Sequence, residues 1–444
     1  MIRLPKQVIA ALRLLEESGH EAYIVGGCVR DYIMGIEPHD YDITTSALPE
    51  ETKQVFSGYQ VIDTGIKHGT VTVVIDHEPI EITTFRIDDD YLDGRHPSKV
   101  RFTKSLKEDA ARRDFTMNAI AMDYRGNLYD YFGGKEDIDK GIIRCVLEPA
   151  ARFREDALRI MRALRFSSVT GFNIEAKTHE AMRDSKELLL KISAERIREE
   201  LVKLLCGKNV KKILMEDVDI LAVFMPELAK MKGFDQRNPH HVFDVLEHTA
   251  EVVQMAKKEP VIRLAALFHD IGKPECFTVD EKGIGHFYGH GAISTEITRS
   301  VMNRLKFDND TKKKVLELVE NHDAPIEPSE RAVKRVLNKL SQEQFFNLIE
   351  LKRADNLGQS RDFRDRQLYY DRLVEIAGEI IAQEQCFSLK DLCVNGRDLI
   401  SIGFKPGKGI GEMLKFLLDE VIDGKIENER QKLLDLAQKK QKNY

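Results

Sequence analysis

The spacing of apolar residues changes near residue 150. Between about 21 and 145 they come in short β-branched runs: AYIVGG at 22–27, YDITT at 41–45, TVTVVI at 70–75 and IEITTF at 80–85. Turn or charged segments separate them, so they read as strands. Beyond 150 the spacing becomes three and four residues. RFREDALRIMRALRF at 152–166 and AERIREELVKLLC at 194–206 read as amphipathic helices. The first residues, MIRLPKQVIAALRLLEESG, mix charge into an amphipathic pattern and show no cleavage site after an apolar core. They read as a surface helix rather than a signal peptide. MKGFDQRNPHH is loop-like and marks a boundary near 235, KGIGHFYGHG is a Gly- and His-rich loop, and the last residues are helical with a basic end that frays. No internal repeat and no low-complexity tract stands out. The fold class expected is α+β, with a mixed α/β head followed by largely all-α parts. The boundaries expected are 1–148, 149–234, 235–365 and 366–444, the last a helical tail.

Composition narrows this further. At about 150 residues per domain, 444 residues suggest about three domains. Hydrophobic residues are 42% and charged residues 32%, enough for real cores. No long uncharged apolar run occurs, which excludes an ordinary transmembrane helix and leaves no membrane partner expected. Lys plus Arg is 68 against 74 Asp plus Glu, a net charge of −6. That excludes a globally basic nucleic-acid binder but not local basic faces. The six cysteines are scattered without a C-x-x-C pair, which argues against a disulfide scaffold or a cysteine zinc site. It fits a reducing cytosol, and the expected location is cytoplasmic.

The first chemical constellation is Gly26-Gly27 after a strand, then Arg30, then Asp40-Tyr41-Asp42 at the edge of another strand. Glycines let backbone amides approach a phosphate, and Arg30 adds a charge-assisted clamp. Carboxylates two apart on a strand share a face and can bridge hard cations to a triphosphate. Glu81 sits mid-strand, where a carboxylate is awkward in a core, and is a candidate third metal ligand. Alone, Gly-Gly reads as a turn and D-x-D as a solvated edge. Their order and spacing are what raise the nucleotide reading.

The second constellation is Glu155-Asp156-Ala157-Leu158-Arg159. On a helix, Asp156 and Arg159 are neighbours. Asp offers only acceptors and Arg only donors. Cytosine and adenine each present an amino donor beside a ring-nitrogen acceptor, whereas uracil and guanine present the reverse. A fixed Asp–Arg pair therefore matches C and A, and a wrong base leaves polar groups unpaired. Arg162 and Arg165 continue the basic series, and Arg113 precedes Asp114. These arginines could hold a triphosphate. The competing reading is a salt-bridged surface helix with Leu158, Met161 and Leu164 packed inward.

VGGCVRDYIMG…HDYDITTSALPEE resembles the catalytic head of the class II CCA-adding enzyme and bacterial poly(A) polymerase family. TGIKHGTVTVV, RIDDDYLDGRHPSKV, RRDFTMNAIAMD, DYFGGKEDI and RFREDALRIMRALRF follow in the family's order. The resemblance is strong over about 20–230 and weaker beyond. It implies a polymerase-beta-like nucleotidyltransferase head and a helical neck that selects nucleotides. It also implies Gly26, Gly27, Arg30, Arg113, Asp156, Arg159, Arg162 and Arg165 as nucleotide-binding, and Asp40 and Asp42 as Mg²⁺ ligands. The implied activity is template-independent addition of C, C and A to a tRNA 3′ end from CTP and ATP, with no DNA partner expected. Thr64-Gly65 and His68-Gly69-Thr70-Val71 resemble the CCA-adding branch. The intact loop Asp88–Arg95 resembles members that complete the A step, not those that add only CC. An A-adding enzyme or a poly(A) polymerase is the nearest alternative. VNGRDLISIGFKPGKGIGEMLKF resembles the family's tRNA-gripping tail, where Lys405, Lys408 and Lys415 could meet phosphates.

A third constellation lies further on. His248, His269-Asp270 and Asp355 occur in the order H…HD…D, which resembles the HD phosphohydrolase superfamily. Imidazoles and carboxylates from several helices suit a divalent transition metal such as Mn, Co or Ni. His290 and His322 could supply a second metal position, and His240, His241 and His286 are further candidates. A metal-dependent phosphatase or 2′,3′-cyclic phosphodiesterase would follow. The alternative of another class is an HD phosphohydrolase whose head only binds RNA.

Overall fold

A computed structural model describes residues 4–38, 40–88, 100–237, 243–359 and 365–441. It divides into two compact units, residues 1–226 and 227–444.

The first unit opens with α1 (Lys6–Glu17), whose Val8, Ala11, Leu12 and Leu15 are buried at helical spacing. Then come β1 (Ala22–Val25), α2 (Gly27–Ile33), β2 (Asp42–Thr45) and α3 (Pro49–Val55). β3 (Gln60–Gly65), β4 (Thr70–Ile75) and β5 (Glu78–Thr84) follow, then β6 (Arg86–Asp88), β7 (Val100–Phe102) and α4 (Leu106–Ala111). β8 (Ala121–Met122), β9 (Leu128–Tyr129) and α5 (Gly134–Lys140) complete the head. Seven strands form one sheet in the order β3-β4-β5-β2-β1-β8-β9. β2 lies between antiparallel β1 and parallel β5. The runs predicted as strands at 22–25, 42–45, 70–75 and 80–84 are therefore strands. The register pairs Asp42 with Glu81 across β2 and β5, and Thr72 with Glu81 across β4 and β5. Opposed residues in a sheet share a face, so all three lie on one side. Glu81 is exposed there, outside the core in which a carboxylate would be awkward.

The helical part of this unit contains β10 (Ile142–Ile143), α6 (Pro149–Glu155), α7 (Leu158–Thr170) and β11 (Asn173–Ile174). It continues through α8 (Ala176–Ser185), α9 (Ala194–Leu205), α10 (Val210–Glu216) and α11 (Val218–Leu221). The single helix expected over 152–166 is thus two. Asp156 is extended, at φ −140° and ψ 102°, where α6 ends. Its carboxylate accepts the Leu158 N–H at 3.0 Å. A short acceptor side chain competes with the helical ladder in this way.

The second unit is mainly helical. It carries α12 (Val245–Met255), α13 (Pro260–Phe268), β12 (Thr278–Val279), β13 (Gly285–His286), α14 (His290–Arg304) and α15 (Asn309–Asn321). α16 (Glu330–Lys339), α17 (Gln342–Gly358), α18 (Gln367–Ala382), α19 (Gly396–Ser401), α20 (Lys408–Ile422) and α21 (Arg430–Gln441) follow. The last three helices enclose their own core, with Leu399, Leu417, Leu418 and Leu433 buried. Lys405, Lys408 and Lys415 are exposed on its outside. No helix among the described residues is long and apolar enough to cross a membrane.

Candidate functional site

Asp40, Asp42 and Glu81 line one cleft of about 790 Å³ together with Tyr41, Thr72 and Glu78. Among the described residues, none of the side chains of Asp40, Asp42 and Glu81 accepts a hydrogen bond or forms an ion pair. Burial pushes the Asp42 carboxyl up from its ordinary value, Arg113 offsets part of this, and Asp40 adds to it by like-charge repulsion. Converging, exposed carboxylates without an ion-pair partner among the described residues are a fit for a hard cation such as Mg²⁺.

Gly26 ends β1 at φ +81° and opens α2. A side chain there would be strained, and its Cβ would meet the Arg113 guanidinium at 3.2 Å. The absence of a side chain at Gly26 therefore lets Arg113 lie against the backbone. Arg113 pairs with buried Asp109 at 3.5 Å. Arg30 donates to Asp31 at 2.7 Å and to Asn118 at 2.9 Å. Arg30, Arg162 and Arg165 all face the Phe166 ring, at 5.1, 5.3 and 4.1 Å from its centroid. Arg165 pairs with Glu200 at 2.7 Å and Arg162 with Asp114 at 2.7 Å. The structure thus gathers Arg30, Arg162 and Arg165 around one ring and Arg113 beside Gly26.

Asp156 and Arg159 differ from expectation. They do not stack on one helix surface, because the helix breaks between them. Arg159 is only 7% exposed. Its guanidinium donates to Glu155 at 2.7 Å and to the carbonyls of Arg152 and Arg112 at 3.1 and 2.9 Å. Asp156 instead pairs with Arg196 at 2.8 Å. Sequence reasoning passed over Glu155, Arg196, Asp109 and Glu200, which fix these groups. The available signal was the charge pattern of α9, where Arg196 and Glu200 are four apart and share a face.

Asp114 anchors this network. Burial alone would raise its carboxyl; the Arg162 guanidinium outweighs burial and, with Asn118, holds it at about 2 instead of 3.8. A depressed folded value stabilises the fold above the unfolded value, and that stability disappears between about pH 4 and pH 2. Asp114→Asn should therefore cost about 2 kcal/mol at neutral pH and flatten the acid limb of a pH-dependent chemical denaturation series. An unchanged acid limb would contradict this assignment.

The second unit holds another cluster. His248 lies on α12, His269 caps α13 with Asp270 next to it, His290 starts α14, His322 caps α15 and Asp355 lies on α17. The Nδ1 atoms of His269, His290 and His322 each donate to the carbonyl three residues earlier, at 2.8, 3.0 and 2.7 Å. His248 Nδ1 donates to the Gly358 carbonyl at 3.2 Å. A carbonyl only accepts, so each ring carries its proton on Nδ1 and a neutral ring offers an Nε2 lone pair. Those Nε2 atoms converge. His248 and His269 approach to 3.3 Å and each lies 3.2–3.3 Å from Asp270 Oδ2. His290 and His322 approach to 3.1 Å and lie 3.4 and 3.8 Å from Asp270 Oδ1. Asp270 thus belongs to two metal-capable triads, one with His248 and His269 and one with His290 and His322. Asp355 Oδ1 sits 3.1 Å from His248 Nε2.

Facing lone pairs repel, and a cation resolves that repulsion; the donor set fits divalent transition metals. Burial would push His248 down, but Asp270 and Asp355 outweigh it and raise it to about 9. Two glycines permit the convergence. A Cβ on Gly272 would lie 2.6 Å from the Ser294 nitrogen of α14, and one on Gly358 would lie 2.6 Å from Val252 of α12. His286 is not part of this cluster: its Nε2 engages Asp280 at 3.0 Å. His240, His241 and most of the loop at 88–95 lie outside the described residues.

The chain is similar to several known proteins. Residues 22–144 match the model described as Poly A polymerase head domain. Residues 171–232 match Probable RNA and SrmB- binding site of polymerase A, and 281–437 match tRNA nucleotidyltransferase domain 2. A CCA-adding enzyme of Lactobacillus helveticus is 37% identical over 430 residues, covering 96% of each chain. One of Ligilactobacillus salivarius is 34% identical over 440 residues, covering 98% of this chain and 96% of that one. The crystal structure of Bacillus stearothermophilus CCA-adding enzyme in complex with CTP superposes with a TM-score of 0.74 at 29% identity, covering 99% and 98%. With relatives of this identity matched along nearly their whole length, the chain belongs to the family of CCA-adding enzymes.

Proposed function

We propose that this chain adds C, C and A to the tRNA 3′ end from CTP and ATP, with Asp40 and Asp42 holding Mg²⁺ and Glu81 beside them. The observation that carries this reading is the set of unpartnered carboxylates in one cleft of a nucleotidyltransferase head. When bound, Mg²⁺ lowers the cost of the developing charge on the triphosphate and on the attacking oxygen. The chain's own residues position and select. Gly26, Gly27 and Arg30 border the triphosphate, and Arg113, Arg162 and Arg165 orient it. The terminal ribose oxygen bonds to the α-phosphorus as the bond to pyrophosphate breaks. Asp156 and Arg159 select C or A once Arg159 exchanges Glu155 for a base. Exposed Lys405, Lys408 and Lys415 meet tRNA phosphates. In this reading 1–148 is the head, 149–234 the neck, 235–365 the HD part and 366–444 the tail, in a cytoplasmic enzyme. Labelled CTP and ATP should both enter a tRNA lacking its CCA end, and failure of CTP to enter would contradict it.

A second reading rests on the histidine cluster. His248, His269, Asp270 and Asp355 would hold one divalent Mn, Co or Ni ion, and His290 and His322, with Asp270, would hold a second. Such a centre supports hydrolysis of a phosphate ester or a 2′,3′-cyclic phosphate. A water oxygen bonds to phosphorus, the bond to the ribose oxygen breaks, and the water's proton ends on that oxygen.

A further inference from the structure

The depression over the histidine cluster has an aromatic rim as well as an ionic floor. Its volume is about 310 Å³, and Asp270, Lys273, His290, His322, Asp355 and Tyr288 all border it. Tyr288 is 77% exposed, a large fraction for a ring at the mouth of a buried ionic site.

The five residues His286-Phe287-Tyr288-Gly289-His290 explain this placement. β13 ends at His286, and Phe287–His290 form a turn in which the His290 N–H donates to the Phe287 carbonyl at 3.1 Å. Phe287 turns inward, 5.4 Å from the Phe277 ring and beneath the Lys273 ammonium at 5.2 Å. His286 and Tyr288 stack with centroids 5.2 Å apart and planes only 8° apart. His286 is itself fixed. Its Nε2 donates to Asp280 at 3.0 Å, and Asp280 also accepts the N–H groups of Lys282 and Ile284 at 2.9 Å. The Tyr288 hydroxyl reaches His286 Nδ1 at 3.4 Å. One face of the tyrosine ring is therefore backed by an imidazole held in place, and the high exposure leaves the other face open. Gly289, at φ +76°, then turns the chain so that His290 begins α14 and faces the ionic floor.

A rigid, open aromatic face beside a phosphoester-type floor suits one class of ligand. Every nucleobase has a π-face, and stacking on an aromatic side chain is tolerant of base identity. A simple phosphate ester has nothing to place there. We propose that Tyr288 is the base-stacking platform of the histidine centre, so that this centre acts on nucleoside phosphates rather than on phosphate esters in general. The inference rests on the hydrolase reading of the cluster and adds its substrate class.

The test uses the full chain loaded with Mn²⁺. Three probes are compared: adenosine 2′,3′-cyclic monophosphate, an RNA oligonucleotide ending in a 2′,3′-cyclic phosphate, and β-glycerophosphate, which has no base. Tyr288→Ala should raise KM for at least one base-bearing probe about tenfold with kcat unchanged, and leave both parameters for β-glycerophosphate unchanged. Tyr288→Phe should keep the wild-type KM. Loss confined to the oligonucleotide assigns the site to RNA ends; loss confined to the mononucleotide assigns it to free nucleotides. Equal changes for all three probes, or none, would overturn the platform. If the wild type cleaves no probe, the hydrolase reading fails separately. The platform is then read by calorimetry with adenosine 2′-monophosphate and inorganic phosphate. Tyr288→Ala should weaken only the nucleotide, by about tenfold, a difference that binding at the head leaves intact. Equal nucleotide affinity in both proteins would overturn it.

Discussion

Asp42→Ala is expected to lower nucleotide transfer by at least about a thousandfold, since metal-assisted charge stabilisation is worth several kcal/mol and each 1.4 kcal/mol is tenfold. The same substitution should not weaken the fold. Asp42 stands on the exposed side of β2, and desolvation by its surroundings raises its carboxyl, so the folded state disfavours its charged form. Its stability contribution improves as pH falls and it becomes protonated, the opposite of Asp114. Removing it should leave the thermal midpoint unchanged or higher while activity disappears. That combination marks a residue retained for chemistry at a cost to the fold. Single-turnover incorporation and a melting curve on the same preparation test it. Near-normal transfer, or a collapse of stability matching the lost activity, would contradict the metal-ligand assignment.

Asp270→Asn is the second large effect. Asp270 is the one residue shared by both triads, so its loss should empty both positions together. After Mn²⁺ loading and dialysis, and beyond any ion held at Asp40 and Asp42, the wild type should retain two ions per chain, His322→Ala one, and Asp270→Asn none. Hydrolysis by Asp270→Asn should fall at least about a hundredfold, because altering even an outer-shell group costs 10–100-fold. Transfer of C and A should stay within about twofold. Asparagine is the right replacement because Lys273 lies 2.7 Å from Asp270, and asparagine keeps an oxygen there, whereas alanine would leave the buried ammonium with no carboxylate and only the Gln236 amide oxygen at 2.9 Å. Retention of one ion by Asp270→Asn would show that the two triads act independently.

Much of this was legible in the chain. The β-branched runs at 22–25, 42–45, 70–75 and 80–84 became strands because local propensity and the register of the sheet agree. The H…HD…D order picked out residues that the structure brings together, two of its triads being able to hold a metal ion. Other features depended on contacts that spacing does not encode. The break at Asp156 arises from its carboxylate capping the Leu158 amide, in competition with a strongly helical pattern on both sides. Glu81 stood out because a carboxylate among β-branched neighbours is awkward in a core, but its face was not evident. Alternation along β5 places it on the open face opposite Asp42. The partners of Arg113, Arg162 and Arg165 are Asp109, Asp114 and Glu200. Of these only Asp109 is close enough in sequence for a spacing argument to find. Tyr288 carried no periodic signal at all. Its role depends on the ring behind it and on the turn at Gly289.

The most direct measurement uses three tRNA substrates, ending at the discriminator base, at C and at CC. Each is incubated with Mg²⁺ and CTP, ATP or both, and sized at nucleotide resolution. The account predicts that all three grow to the same CCA end and stop when both nucleotides are present, and that ATP alone extends only the CC-ended substrate. Extension of that substrate alone under every condition would instead show an A-adding enzyme, and a long ladder of A would show a poly(A) polymerase. Either result would contradict full CCA addition.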